Sequence, residues 1–494
     1  MNYIGISAGF HDAAISVIDD RGNILFAGHS ERYSKVKHDK TIDIDLVSDA
    51  LKYVNDDFEV HYYEKPFLKY LRQLRAGEQP ALASLNSKYH IGSSAMQLLG
   101  NPKITTHNHH LSHAAAGFQT SNFIDATVVV IDAIGEFDTI SIWEARYNYK
   151  GKAIYKKLWG RKYPDSIGLM YSAMTKRVGL QPLDEEYILM GMSAYGKSKH
   201  YNTLLKDLID DVNNIRFKDN LHIGVPEDYL SDANDMDIAS STQMLTEELI
   251  MKVIEIAKRI GHSENLVYSG GVALNCLANR RLGEYYDKIW IMPNPGDAGS
   301  SLGAACLGYG HSVYWHNSFL GHDIVGVYPV STLLEYLLRD SIVGVAHGRA
   351  EFGPRALGNR SLLADPRGNE IKDKVNEIKR RQKFRPFAPV ILEEYANNYF
   401  ILPSGWSNCR YMQSIATCRH PDLFPAIVHV DGTSRVQTVP KDGSGIRKLL
   451  EEWNALTGCP MLLNTSLNIR GEPMVNDRND ADRFEKLYNV PVIS

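Results

Sequence analysis

A chain of 494 residues that is 44% apolar and 23% charged has the make-up of a water-soluble globular protein with room for two cores. Its 54 basic residues are offset by 58 acidic ones, a net charge of −4, which excludes a polyanion binder driven by overall charge and leaves only local basic patches for that role. Five scattered cysteines without a C-x-x-C pair, a strand-like start at Tyr3 and no apolar run of about eighteen residues predict reduced thiols, no secretory leader and no membrane span, hence a cytoplasmic protein.

From the N-terminus, residues 3–8, 13–18 and 24–28 read as three strands. They are joined by the polar turn Phe10-His11-Asp12 and by Asp19-Asp20-Arg21-Gly22-Asn23, a hairpin signal. A helix is expected over about 43–54, after the charged run Glu31 to His38. Next comes Thr106 to Phe118, THNHHLSHAAAGF, where a strand end runs into an alanine-rich helix. His109 and His113 stand four residues apart there, a spacing that puts two imidazoles on one helical face within reach of one cation. Surface and capped pairs share that spacing, so the metal reading needs partners. Asp132, which ends the apolar run Thr127 to Ile131, and Asp297, in the glycine loop Asn294-Pro-Gly-Asp-Ala-Gly before a helix at Ser301, supply them. Two imidazoles with two carboxylates suit a divalent transition metal with coordination positions left for substrate.

From Ala126 the strand pattern recurs at 126–132, 138–145 and 152–158, with Asp132-Ala-Ile-Gly-Glu136 in the place of the first polar turn. This weak duplication of a meander followed by helices predicts two related halves with a nucleotide cleft between them, the actin-like ATPase architecture. Helices are expected near 167–178 and 241–260, then a buried strand at Asn265 to Tyr268. In Ser269-Gly-Gly-Val-Ala-Leu-Asn275, Gly270 and Gly271 either let backbone N–H groups approach an anionic or flat ligand or form a tight turn, and Asn275 is equally a helix cap. The stretch Arg146 to Pro164 carries seven cations, five aromatic rings and no acid. Such interleaving suits a nucleic-acid strand or a flipped base, with Lys150, Lys156, Lys157 and Trp159 as contacts, or else a β-hairpin whose rings alternate into the core.

Residues 308–340 show little regular pattern and form the candidate boundary before a strand at Ile342 to His347. Beyond it arginine is dense near glycine and proline: Arg349, Arg355 and Arg360 within His347 to Ser361, then Lys379, Arg381 and Arg385 in a cationic run ending Arg-Pro-Phe-Ala-Pro389. Guanidinium forks bind phosphate or carboxylate bidentately, so several around one loop predict an oxyanion substrate.

These segments, with His429-Val-Asp-Gly-Thr-Ser-Arg435 and Leu463-Asn-Thr-Ser-Leu-Asn468, resemble the NodU/CmcH carbamoyltransferase family, and the likeness covers nearly the whole chain in the family's order. The resemblance implies an α/β protein, with a duplicated RNase-H-like, actin-like ATPase (ASKHA) domain over 1–325 and an α/β YrdC-like domain over 326–494. It implies an O-carbamoyltransferase dependent on ATP and carbamoyl phosphate. The second domain makes carbamoyl-adenylate and pyrophosphate, and the first passes the carbamoyl group to an acceptor hydroxyl beside iron(II). His109, His113, Asp132 and Asp297 match the family's metal ligands; His11 and Lys37 match positions at the transfer centre, where His11 is expected to take the acceptor proton. Arg349, Arg355, Arg360, Lys379, Arg381 and Arg385 are expected to hold carbamoyl phosphate or the triphosphate. Gly135, Gly270, Gly271, Asn275, Asn464, Ser466 and Asn468 are expected to border the nucleotide. The implied cofactors are a divalent metal, Fe2+, with ATP and Mg2+ as co-substrate. A homodimer and a bacterial or phage-infected host cytoplasm fit the same family, and the acceptor is open between a hydroxyl of a sugar or natural product and a hydroxymethylated base in DNA.

Three departures stand out. Ala133 replaces a glycine of the family's Asp-Gly-x-Gly-Glu, Ile188 stands where relatives carry lysine, and the C-terminus stops soon after Asn468. Competing readings are a tRNA threonylcarbamoyl-type transferase, against which the Gly-Pro-Arg-Ala-Leu-Gly segment argues, and a nucleotide-binding regulator with decayed catalysis.

Overall fold

The computed structural model describes residues 1–368, 370–380, 382, 386–443 and 445–494. In the first sheet, β1 (Asn2–Ser7), β2 (Ala14–Asp19), β3 (Ile24–His29), β4 (Phe58–Tyr62) and β5 (Ile104–Thr106) lie in the order β3-β2-β1-β4-β5. Strands β1 to β3 form an antiparallel meander, and β4 and β5 continue parallel to β1. The second sheet repeats this plan. Its meander β6 (Asp125–Ile131), β7 (Asp138–Tyr147) and β8 (Ala153–Lys162) is followed, past the short ribbon β9 (Ile209–Asp211) and β10 (Arg216–Phe217), by β11 (Asn265–Ser269) and β12 (Lys288–Trp290). The order is β12-β11-β6-β7-β8, with β11 parallel to β6 and β12 parallel to β11. The duplication expected from the two meanders is thus present in strand order and in strand sense.

The burial pattern explains why these segments form these strands. Central β6 reads Asp-Ala-Thr-Val-Val-Val-Ile and is buried from its second residue onward, as a strand covered on both faces must be. Edge strand β8 is half-buried or exposed along its whole length. Helices His109–Thr120 and Asp297–Tyr309 pack together between the sheets. They approach backbone to backbone because a Cβ at Gly303 would lie 1.8 Å from the Ser112 carbonyl oxygen, and one at Gly5 of β1 would lie 1.8 Å from that of Ser301. Only glycine allows that stack. The second of these helices begins at Asp297, a turn before the expected Ser301.

Further along, β13 (Phe319–Ile324) pairs antiparallel with β15 (Gly348–Glu351). A six-stranded sheet then combines β14 (Ile342–Ala346), β16 (Arg360–Ala364), β17 (Ala388–Leu392), β21 (Gln437–Val439), β22 (Met461–Ser466) and β23 (Val492–Ile493) in the order β21-β17-β22-β16-β14-β23. A small sheet of β18 (Phe400–Ile401), β19 (Ala416–Cys418) and β20 (Thr433–Ser434) flanks it. Alternate strand residues face two cores. Val343, Val345, Leu363 and Val390 meet Leu333, Leu337, Leu449 and Trp453 of helices Val330–Asp340 and Gly445–Thr457, while Ile342, Leu362, Ile391 and Leu463 meet Val375 and Phe484 on the other side. Helix Val330–Asp340 lies in the stretch expected to be irregular, although Leu333, Leu334 and Leu337 carry a helical period. All five cysteines are buried and unpaired. Among the described residues no helix is long and apolar enough to cross a membrane.

Candidate active site

Helix His109–Thr120 starts without a side-chain cap from Asn108; instead the Glu136 carboxylate accepts the His109 N–H at 2.9 Å and the Lys65 N–H at 2.9 Å. That anchors the helix start against the loop after β6, which carries Asp132. The four side chains His109, His113, Asp132 and Asp297 are all buried, and one ligand atom from each lies within 4.8 Å of all the others. The Nε2 atoms of His109 and His113 face each other at 3.0 Å. Asp132 Oδ2 is 3.0 Å from His109 Nε2, and Asp297 Oδ1 is 3.4 Å from His109 Nε2 and 3.3 Å from His113 Nε2. Outer groups aim the ligands: Ser300 Oγ is 3.0 Å from His113 Nδ1, and the Gly271 N–H donates to Asp132 Oδ1 at 3.2 Å.

Electrostatics bind this cluster together. Burial opposes charge on every member, yet Asp297 and Asp132 raise His109, and hydrogen bonds to the same carboxylates raise His113. The imidazoles in return hold Asp132 and Asp297 well below the usual carboxylate range. Two buried carboxylates against two imidazoles demand positive charge between them, supplied either by protons on the rings or by a divalent cation that displaces those protons. The donor set, two nitrogens and two carboxylate oxygens converging from separate elements, fits a divalent metal.

His11 stands at the mouth of the cluster, its Nε2 3.7 Å from Asp297 Oδ2. Asp12 Oδ2 is 2.8 Å from His11 Nδ1. Burial opposes the charge on His11, but Asp297 and Asp12 raise it to about 9. Lys37 is ion-paired with Asp184 and lies over the Tyr187 ring at 5.8 Å. Neither Asp12, His38 nor Asp184 was singled out from the sequence; their signal was adjacency, since Asp12 follows His11 and His38 follows Lys37.

The glycine loops border the cluster. Gly135 sits where a Cβ would be 2.9 Å from the His110 ring, and Gly270 has φ +91° with a hypothetical Cβ only 2.2 Å from the Ile131 carbonyl oxygen. Asn275 accepts the Ala278 N–H at 3.1 Å as a helix cap and exchanges hydrogen bonds with the Gln243 amide. Ala133 is not in a left-handed conformation, so its backbone torsion does not require glycine. Ile188 is buried in the core of this half.

On the C-terminal side, Lys379, Ser466 and Asn468 come together: the Lys379 ammonium donates to Ser466 O at 2.6 Å and bonds the Asn468 side chain, which accepts from Ser466 Oγ at 2.7 Å. Asn464 is buried and donates to Gln437 Oε1 at 2.7 Å and Ala356 O at 3.0 Å. Half-buried Arg355 lines a crevice with Ala273, Leu274, Pro293, Pro295 and Gln413, next to the Gly270 loop. Arg381 and Arg385 lie outside the described residues.

Two expected anion contacts need correction. Arg360 is fully buried, and its guanidinium donates to the carbonyls of His322, His347, Gly348, Asn359 and Asn476 at 2.9–3.1 Å. Arg349 donates to the carbonyls of Leu25 at 2.7 Å, Gly321 at 3.3 Å and Leu320, with its guanidinium 5.0 Å from the Tyr53 ring. Both forks are spent on backbone, so they tie loops together rather than face a phosphate. Of the two readings of the basic aromatic stretch, the structure has the hairpin. The stretch forms the β7–β8 hairpin, whose Tyr147 and Tyr155 pack against Phe118, whose Tyr163 is buried and whose Trp159 packs on the core. Lys150 and Lys156 are exposed, and Lys157 is paired with Asp138 at 2.5 Å. Among its rings only Tyr149, 91% exposed, faces solvent in the way base stacking requires.

A duplicated α/β fold thus brings four buried side chains of metal-ligand type together at the seam of its halves, beside a histidine held by a carboxylate. The descriptions Carbamoyltransferase N-terminus and Carbamoyltransferase C-terminus match residues 2–306 and 334–492, and the chain belongs to the carbamoyltransferase family. It is 33% identical to the protein sll1178 of Synechocystis, across 97% of this chain and 93% of that one. It is 30% identical to the nodulation protein NolNO of Sinorhizobium fredii, across 95% of this chain and 76% of that one. Among solved structures, component A of the Acidaminococcus fermentans (R)-2-hydroxyglutaryl-CoA dehydratase aligns with 63% of this chain and 98% of its own at 14% identity, with a TM-score of 0.35.

Proposed function

We propose that this carbamoyltransferase works as two units: a YrdC-like unit over 326–494 that makes the donor, and an actin-like ATPase unit over 1–325 that transfers it. The observation that carries the reading is the convergence of His109, His113, Asp132 and Asp297 beside His11. Carbamoyl phosphate and ATP, with Mg2+, bind around Arg355, Lys379, Ser466 and Asn468, joined by Arg381 and Arg385 of the same motifs. Water cleaves carbamoyl phosphate to carbamate and phosphate; the carbamate oxygen then attacks the α-phosphate of ATP, expelling pyrophosphate and giving carbamoyl-adenylate. The adenylate is received at the Gly135, Gly270–Gly271 and Asn275 loops, which Arg355 approaches from the donor side.

There His11 Nε2 takes the proton of the acceptor hydroxyl while the hydroxyl oxygen bonds to the carbamoyl carbon. The bond from that carbon to the phosphate oxygen breaks, and AMP leaves with the electron pair. Iron(II) held by His109, His113, Asp132 and Asp297 would supply a Lewis acid for the carbamoyl oxygen. Bound there, it would also offset Asp297 and Asp132, two of the carboxylates that raise His11, and so favour the unprotonated ring a base needs. The acceptor is a neutral hydroxyl of a small molecule. Lys37 and His38 at the mouth are committed to Asp184 and Asp12, and the rings of the β7–β8 hairpin other than Tyr149 pack inward, which leaves poor provision for phosphates or stacked bases. Pyrophosphate release from ATP that requires carbamoyl phosphate is the expected result with the purified protein; ATP turnover indifferent to carbamoyl phosphate would overturn the reading.

A further inference from the structure

Asp12 bridges two imidazoles. Its Oδ2 takes His11 Nδ1 at 2.8 Å and its Oδ1 takes His38 Nδ1 at 2.7 Å. The second nitrogen of His38 is 3.2 Å from Asp184 Oδ1, the His38 N–H donates to Glu31 Oε2 at 3.0 Å, and Lys37 closes the chain on Asp184. Both partners of the Asp12–His38 bond have left-handed backbones: Asp12 has φ +53° and His38 φ +54°. A side-chain-bearing residue persists in the left-handed region only where its surroundings fix it, and such positions gather at functional sites. Here the two loops are laced directly, Gly9 N–H to Lys40 O at 2.8 Å and Ala13 N–H to Asp39 O at 2.7 Å. The strained backbones turn Asp12 and His38 toward each other.

We infer that His38 is a positioning residue of carbamoyl transfer, holding the Asp12 carboxylate so that Asp12 fixes the hydrogen of His11 on Nδ1 and leaves Nε2 facing the reacting hydroxyl. This rests on the transfer reading above. His38 has a carboxylate at each ring nitrogen, the arrangement that stabilises imidazolium. Burial opposes that charge, but the bonds to Asp12 and Asp184 raise His38 to about 10. The cation keeps Asp12 ionised and accepting from both rings. Without the His38 bond, Asp12, about a quarter exposed, is free to turn to water, and the His11 ring loses its fixed tautomer and orientation.

The test uses the full chain with ATP, carbamoyl phosphate and two probe acceptors, water and hydroxylamine. Hydroxylamine is nucleophilic enough to attack the carbamoyl carbon with little help from a base, whereas water needs it. His38→Ala should retain pyrophosphate release and hydroxyurea formation within about twofold, while its water-dependent AMP release falls roughly tenfold, part of what a positioned general base contributes. His38→Asn, whose amide N–H replaces Nδ1–H, should recover most of that loss. A second measurement needs no acceptor: long-range proton–nitrogen correlation of zinc-loaded 15N-histidine protein, assigned with His11→Gln, should show the neutral His11 ring as a single Nδ1–H tautomer in wild type and a mixture in His38→Ala. An unchanged His11 tautomer, or equal losses with both acceptors, overturns the inference while leaving the two-unit reading standing. Wild-type protein that forms no pyrophosphate overturns both.

Discussion

Replacing Arg360 by methionine keeps the stem and removes the guanidinium, whose donors serve five backbone carbonyls in a fully buried setting. Of these acceptors, Asn359 O also takes the His347 N–H at 3.0 Å, so it is not stranded. The others lose a charged partner, and hydrogen bonds to charged groups are worth about 1.5–3 kcal/mol each. Part of this is offset because the charge is itself costly to bury, as its fall to about 10 under desolvation shows. Glu351 is the second consideration: its Oε1 accepts the N–H groups of Leu357, Asn359 and Arg360 at 2.7–3.2 Å, and it loses a compensating cation. Removing one partner from a buried charged network of this kind costs about 3–5 kcal/mol. Urea unfolding followed by tryptophan fluorescence should show that loss, and Arg360→Lys should share most of it, because an ammonium cannot fork to five carbonyls. Below the unfolding range the KM for carbamoyl phosphate should stay at the wild-type value. A stable variant with a strongly raised KM would refute the reasoning and return Arg360 to the anion site.

His113→Ala should lower bound metal from about one ion per chain to near none by elemental analysis while pyrophosphate formation continues, since the affected ligand lies in the transfer unit; unchanged metal content would remove His113 from the ligand set. The His38 network sets a pH signature. His38 is raised from 6.5 to about 10, so its contribution is complete below pH 6.5 and disappears as pH rises through about 10. Asp184, lowered from 3.8 to about 2 by the His38 bond, contributes fully above pH 4 and is lost on acidification through 2. The stability gap between wild type and His38→Gln should therefore be flat near pH 5–6 and shrink toward pH 10; a gap constant to pH 10 in urea titrations contradicts it.

Local periodicity made much of the fold legible. Both meanders and their repetition followed from alternating apolar runs, and helix 167–177 and strand 265–269 fell close to where the sequence put them. Helix Val330–Asp340 was overlooked because a charged, partly exposed helix dilutes its apolar stripe with Glu335, Arg339 and Asp340. The four converging ligand-type residues were legible by residue type and by likeness to a family, since metal-ligand chemistry restricts the choice to few side chains. Arginine proved less readable. A guanidinium near glycine and proline serves an oxyanion or backbone carbonyls equally well, and the choice depends on burial, which one sequence does not reveal. Arg349 and Arg360 went to carbonyls. Aromatic rings between lysines behaved similarly: strand alternation, visible in β7 and β8, sends Tyr147 and Tyr155 to the core whatever the lysines do.

The proposed metal centre is assembled by the docking of the two halves. His109 and His113 sit on the helix that follows β5 of the first sheet, Asp132 directly follows β6 of the second, and Asp297 begins the helix after β12. No half of the duplication holds the full set, so the centre exists only when the two sheets are docked. The docking depends on glycine, since side chains at Gly5 or Gly303 would collide with the carbonyls of Ser301 or Ser112. Each outer group also belongs to a different element from the ligand it orients: Gly271 for Asp132, Ser300 for His113, Glu136 for the helix start at His109. The four side chains are thereby positioned by backbone packing between elements rather than by their own loops, and a small shift between the halves would displace them and His11 together.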